Sequence, residues 1–155
     1  MLRFARLPAD DPVAASLIEA MIHELTPLYG RIDVPEAPSA APADFRPPAG
    51  VFLVGSRGET AICAGGIKRL SATCCEIKRM FVVPEARGRG VAGELLAALE
   101  QAGRELGYGT ARLDTGPHQP HARSLYLHRG YRPIEDYNDN PFADFWGEKD
   151  LVMTR

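Results

Sequence analysis

A single junction constrains this chain more than any other feature. An apolar run ends at Val83-Pro84, passes through Glu85-Ala86-Arg87-Gly88-Arg89-Gly90, and enters a helix-forming stretch. A strand that feeds a helix in this way aims the unpaired N–H groups of the first helical turn at one point. Those donors and the helix dipole favour an anion, for which a phosphate group is the usual guest. Gly88 and Gly90 let the backbone come close and adopt conformations closed to other residues. Arg87 and Arg89 add charge suited to phosphate oxygens.

The pattern differs on the two sides of the junction. Upstream, residues 2–7 form a short strand. Asp10-Asp11-Pro12 then starts a helix, with an Asp cap and Pro at the first helical position. Val13, Leu17, Met21, Leu25 and Leu28 recur at helical spacing, and the helix ends near Tyr29-Gly30. Residues 31–49 contain Pro35, Pro38, Pro42, Pro47 and Pro48, which makes regular structure improbable. A loop of this length is either a loose surface connection or a lid over an acceptor site. Residues 51–54, 60–70 and 74–83 are strands at hairpin distances, with turns at 56–59 and 71–73, and read as an antiparallel meander. Downstream, residues 90–106 form a helix with Val91, Leu95, Leu99, Ala102 and Leu106 on one stripe and Gly107 as its stop. Residues 110–115 form a strand, 119–129 a short helix ending at Gly130, and 131–134 and 145–152 the final strands. The order β-α-β-β-β-α-β-α-β-β describes one α+β domain over residues 1–155.

At 155 residues the chain fits one domain, and its net charge of −2 lacks the basic footprint of a nucleic-acid binder. No apolar stretch approaches the ~20 residues of a membrane span, and the N-terminus has no long apolar run, so a cytoplasmic location is the default. Cys63, Cys74 and Cys75 are odd in number, two of them are adjacent, and no C-x-x-C pair exists. They read as buried reduced thiols, neither a disulfide framework nor a zinc site.

The phosphate ligand is less defined. The Walker string is absent. Gly88, Gly90 and Gly93 do satisfy G-x-G-x-x-G, and Asp114 follows Gly93 by 21 residues. A dinucleotide unit, however, opens a parallel sheet, and here a meander precedes the loop. The string alone leaves nucleotide and non-nucleotide ligands open.

Three segments carry a family resemblance. Arg87-x-x-Gly90-x-Ala92, following the strand of residues 76–84, resembles the pyrophosphate motif of the GNAT superfamily of N-acetyltransferases. Gln119-Pro-His-Ala122-Arg-Ser-Leu125-Tyr126, then Gly130-Tyr131, resembles that family's second motif, and residues 141–151 look like the tail of its bacterial members. The likeness covers nearly the whole chain and is weakest over residues 1–50. It implies a GNAT-like fold: a mixed central sheet with an antiparallel N-terminal meander, splayed central strands and about four helices. It further implies transfer of an acetyl group from acetyl-CoA directly to a primary amine, on a small or amino-acid-like acceptor. The alternatives are a protein N-terminus or lysine as acceptor, or a catalytically silent acyl-CoA sensor. The resemblance also admits a homodimer, and it calls for no metal, membrane or nucleic acid.

By the same resemblance, the backbone of Met80, Phe81 and Val82 holds the pantetheine arm, and an N–H near Val82 faces the thioester oxygen. Arg87, Gly88, Arg89, Gly90, Val91, Ala92 and Gly93 hold the pyrophosphate, and Gln119 bonds the pantetheine. Tyr126 is the general acid: a phenol near ~10 and a thiol near ~8.5 make the transfer nearly balanced. The competing reading of Tyr126 is a core tyrosine with a satisfied hydroxyl. An amine near ~10.4 needs a base, and Glu76 or Asp114 can serve, with Glu76 favoured. Two-residue alternation puts Glu76 on the face of Lys78 and Met80. His118 and His121 lie near the thioester end in supporting roles. Tyr29, Phe45, Tyr137, Phe142, Phe145 and Trp146 are candidates for an acceptor wall as well as for the core.

Overall fold

Helix α1 (Pro12–Tyr29) begins where the sequence places its cap. The Asp11 carboxylate accepts from the N–H groups of Val13 and Ala14 at 3.0 and 3.5 Å, and Gly30 closes the helix at φ 75°. The structure, a computed structural model, describes residues 2–32 and 40–152. Strand β1 (Leu2–Arg6) precedes α1, and β2 (Val51–Arg57), β3 (Thr60–Arg69) and β4 (Cys74–Val82) follow it as the meander. Then come α2 (Val91–Glu105), β5 (Thr110–Thr115), α3 (Pro120–His128), β6 (Arg132–Pro133) and β7 (Phe145–Asp150). The sheet order is β1-β2-β3-β4-β5-β7-β6, with β4 and β5 its parallel pair. Three α-helices and two 3₁₀ turns, Pro42–Phe45 and Pro84–Ala86, stand among the described residues, where the resemblance implies about four helices.

Two apolar layers sandwich this sheet. On one face, Val91, Leu95, Leu99 and Ala102 of α2 are at most 3% exposed and pack with Val51, Leu53, Ile67, Cys75 and Ile77. Each buried leucine contributes about 1.5–3 kcal/mol. Leu106 falls at the helix C-cap and is half-buried. On the other face, Ala14 and Leu17 of α1 pack with Phe45, Phe52, Val54 and Phe81. The expected α1 stripe is only partly the buried one, since Val13 and Leu28 are each 46% exposed. Residues four apart drift about 40° around a helix with each step, so the ends of such a stripe leave the face.

The described part of the proline-rich stretch, residues 40–49, is more ordered than its composition implies. The Asp44 carboxylate accepts from the Ala41 N–H at 2.7 Å, and Phe45 is 2% exposed, edge-on to Phe52 with centroids 5.5 Å apart. Gly66 leaves room for that ring, since a Cβ there would stand 2.5 Å from it. Of the lid expected over residues 31–49, residues 33–39 lie outside the described residues.

Candidate active site

β4 and β5 pair only at Cys74/Thr110, Cys75/Ala111 and Glu76/Arg112, and then they part. β4 stays on β3, but with one residue too many. Ala64 faces Phe81 and Gly66 faces Lys78, which leaves Arg79 and Met80 opposite Gly65. This is a β-bulge. Arg79 sits in it at φ 60°, a left-handed conformation that costs a residue with a Cβ about 1–2 kcal/mol.

The bulge corrects one expectation. Glu76 and Lys78 do share a face, with Lys78 Nζ 3.6 Å from Glu76 Oε1. Met80 does not join them. It packs with the α2-side core, because one inserted residue reverses the alternation beyond it.

The parted strands frame a cleft of about 220 Å³. Lys78, Arg79 and Met80 line it from β4, Asp114 from β5, Gln119 and Tyr126 from α3, and Met21, Leu25 and Tyr29 from α1. Tyr126 is 7% exposed, and its hydroxyl points to Met80 Sδ at 3.8 Å. Burial, and then the Asp114 charge, raise its phenol above the ordinary value, so it holds its proton. Gln119 caps α3, and its Oε1 accepts from the Tyr29 hydroxyl at 3.3 Å. That hydroxyl in turn accepts from the His118 N–H at 3.0 Å. Tyr29 comes this close because residue 116 is glycine: a Cβ there would collide with the Tyr29 hydroxyl and the Phe142 carbonyl.

The two candidate bases are tied together by a residue the sequence did not single out. Asn138 Nδ2 donates to Asp114 Oδ2 at 2.6 Å and to Glu76 Oε2 at 3.1 Å, while its Oδ1 accepts from Trp146 Nε1 at 3.0 Å. Asn140 Nδ2 adds a bond to Asp114 at 3.2 Å, and the Tyr137 hydroxyl donates to Glu76 at 2.6 Å. Burial first, then the Glu76 charge, push the Tyr137 phenol up. Glu76 is 3% exposed and stands behind the cleft, whereas Asp114 lines it. Asn138 and Asn140 occupy a turn-like polar run, where amides look like ordinary turn residues. Tyr29 and Phe142 stand at the cleft, Trp146 and Tyr137 in the network behind it, and Phe45 and Phe145 in the cores.

At the start of α2, Gly88 and Gly90 adopt φ 79° and 78°, and an added Cβ at either would meet nothing within 4 Å. Glycine is needed there for its backbone conformation rather than for close packing. Gly90 caps α2 without a side-chain bond, so the first-turn N–H groups have no side-chain acceptor. Free N–H groups at a helix start can donate to an anion. Val91 is buried in the core, and Ala92 is half-buried beside it. Arg89 is exposed next to this helix start. Arg87 is otherwise engaged: Nε donates to the Val82 carbonyl at 2.9 Å, and Nη2 bonds both Glu24 oxygens at 2.7 and 2.8 Å. A second cation was not foreseen. The Arg129 guanidinium lies where a Gly93 Cβ would stand, and it has no ion-pair partner among the described residues. An exposed arginine at the end of a helix carries no sequence signal that separates it from ordinary surface charge.

Cys63 and Cys75 are fully buried, and burial pushes their thiols up to about 11 and about 12. No cluster of three His, Cys, Asp or Glu side chains that could hold a metal occurs among the described residues. No described helix is long and apolar enough to cross a membrane.

Comparison with known proteins adds the following. A profile of the Acetyltransferase (GNAT) family matches residues 18–131. The chain is 33% identical over 102 residues to an uncharacterised N-acetyltransferase of Schizosaccharomyces pombe. That match takes in 64% of this chain and 63% of the relative, so the chain spans less than two thirds of that protein's length. A structure of a candidate acyl-CoA N-acyltransferase from Klebsiella pneumoniae is similar at TM-score 0.78 and 28% identity, over 98% of this chain and 99% of that one. A GNAT family acetyltransferase from Elizabethkingia anophelis with acetyl-CoA bound is similar at TM-score 0.67 and 15% identity, over 96% and 97% of the two chains. The last likeness is one of fold.

Proposed function

The chain belongs to the acetyltransferase (GNAT) family, and on that premise we propose that it transfers the acetyl group of acetyl-CoA directly to a primary amine of a small molecule. One observation carries this reading: β4 and β5 part between a glycine cradle at the start of α2 and a cleft holding Tyr126 and Asp114. Residues 1–155 serve as a single acetyltransferase domain. A cleft of about 220 Å³ supports a small acceptor, since pockets for drug-sized ligands run to about 300–1,000 Å³.

In this proposal the N–H groups of residues 88–93 hold the pyrophosphate, with Arg89 and Arg129 as its cations. An anion at such a helix start gains about 0.3–2 kcal/mol from the dipole alone. The pantetheine arm runs along the edge of β4 that β5 leaves open, at Met80, Phe81 and Val82. The Val82 carbonyl already accepts from Arg87, so the arm meets the remaining groups of that edge. Gln119 fixes the arm from the opposite wall.

The reaction forms a C–N bond and breaks a C–S bond. Asp114 takes a proton from the acceptor ammonium, directly or through water, and Glu76 supports it through Asn138. A backbone N–H near Val82 faces the developing oxyanion, an interaction worth about 3–4 kcal/mol where it has been removed elsewhere. Tyr126 gives its proton to the departing thiolate. Burial raises the Tyr126 phenol and keeps the proton on its hydroxyl until a thiolate forms beside it.

Calorimetry with acetyl-CoA, NAD and ATP, followed by an acceptor screen across amino acids, polyamines and aminoglycosides, tests the proposal. Binding of NAD without acetyl-CoA would overturn it. Acetyl-CoA binding without transfer to any amine would favour the sensor.

A further inference from the structure

We infer that the acceptor is an amino acid, held with its ammonium group towards Asp114 and its carboxylate on Arg79. This deepens the acetyl-transfer proposal and rests on it for the chemistry.

The charges at the cleft are unequally partnered. Glu76 and Lys78 face each other at 3.6 Å, and Tyr137 and Asn138 complete the Glu76 carboxylate. Asp114 receives only neutral amide donors, from Asn138 and Asn140, and no cation lies within ion-pair distance of it among the described residues. Arg79 is its mirror image. Its Nη2 donates to the Ala40 carbonyl at 2.6 Å, its guanidinium stands 5.6 Å from the Phe45 centroid, and no carboxylate pairs with it among the described residues. A guanidinium carries five N–H donors, and one carbonyl uses one of them. Of the charged side chains that line the cleft, Lys78 is paired with Glu76, while Asp114 and Arg79 have no ion-pair partner among the described residues: one anion and one cation left over, the complement of a zwitterion.

Two further observations favour Arg79 as a ligand-binding residue. A half-buried cation with no ion pair is unfavourable, and here desolvation outweighs the coulombic help it receives from Asp44. It also occupies a left-handed backbone position at the bulge, where outliers of this kind cluster at functional sites. Arginine is the side chain whose planar fork matches a carboxylate in two parallel bonds. A second charged group on the acceptor would also fix the amine's approach, because the molecule is then held at both ends.

The test compares each common amino acid with its own amide, which keeps the ammonium and removes the carboxylate charge. With the full chain and acetyl-CoA, kcat/KM for the best amino acid should exceed that of its amide by about 10- to 100-fold, the range of a hydrogen bond to a charged group. In Arg79→Met that ratio should fall to about one. Both substrates see the same protein, so any loss of folded material cancels in the ratio. Binding of the same pair to the protein alone, by calorimetry, should show the same preference and the same loss. An amide that reacts and binds as well as the amino acid overturns the inference, as does a preference that survives Arg79→Met. Transfer to amines but to no amino acid overturns it too. Failure of acetyl-CoA itself to bind counts against the acetyl-transfer proposal instead, and the amino-acid site is then decided by the calorimetric pair.

Discussion

Tyr126 shows how far a single residue can be read. Its place in the second motif pointed to an acid, and its hydroxyl does stand at the cleft, beside Met80 Sδ. Replacing it with Phe removes the proton without changing the ring. Turnover should fall about 10²- to 10⁴-fold, while calorimetric affinity for acetyl-CoA changes by no more than a few-fold. An unchanged rate would remove Tyr126 from the reaction. Gly116 is a residue of the opposite kind, essential for what it lacks. Gly116→Ala should push the Tyr29 hydroxyl off Gln119 and raise KM for the acceptor, measurable in steady-state kinetics. That Tyr126 and Gln119 line one cleft was legible from the second motif, and Asp114 from the strand that precedes it. Asn138 and Arg79 were not. An amide in a polar turn has no sequence signature, and no two-residue alternation announces a bulge that redirects the arginine beside it.

At the scale of elements, the start of α2 is the part that sequence reads best. Apolar spacing, two glycines and a preceding Val-Pro fix strand, loop and helix within a residue of where they lie. Gly90→Ala puts a Cβ into a left-handed cap, which costs about 1–2 kcal/mol. The fold survives a penalty of that size, but the cap relaxes, and acetyl-CoA affinity by calorimetry should drop about tenfold. Arg129→Ala should weaken acetyl-CoA as well, and the salt dependence of binding should flatten because one screened charge contact is gone. The weaker readings are α1 and the stretch after it. The α1 stripe drifted off the buried face at Val13 and Leu28, because spacing alone does not say which way a helix is turned. Phe45 was a plain aromatic in a proline-rich loop until Gly66, distant in sequence, supplied the room it fills.

The whole molecule is a sheet whose centre is joined by three residue pairs and then opens. A ligand that spans the opening binds the folded chain and not the unfolded one. At a hundred times its Kd, acetyl-CoA should stabilise by about 2.7 kcal/mol and raise Tm by roughly 5–10 °C; a flat thermal-shift profile would show that the seam is not where it binds. Alkali should act in the other direction. Below about pH 8 the thiols of Cys63 and Cys75 are protonated in both folded and unfolded chains. Above it the unfolded chain loses those protons, while burial keeps the folded thiols protonated until about 11 and about 12. Stability should therefore hold from pH 7 to about 8 and then fall, the slope approaching about 1.4 kcal/mol per pH unit for each thiol above about pH 9, as read by urea denaturation. The same burial has a practical side. A thiol-sensing dye at pH 8 finds Cys63 and Cys75 out of reach on the native protein, with only half-buried Cys74 open to it, so its colour follows released coenzyme above at most one protein thiol. A sudden jump in absorbance would then mark the chain coming apart.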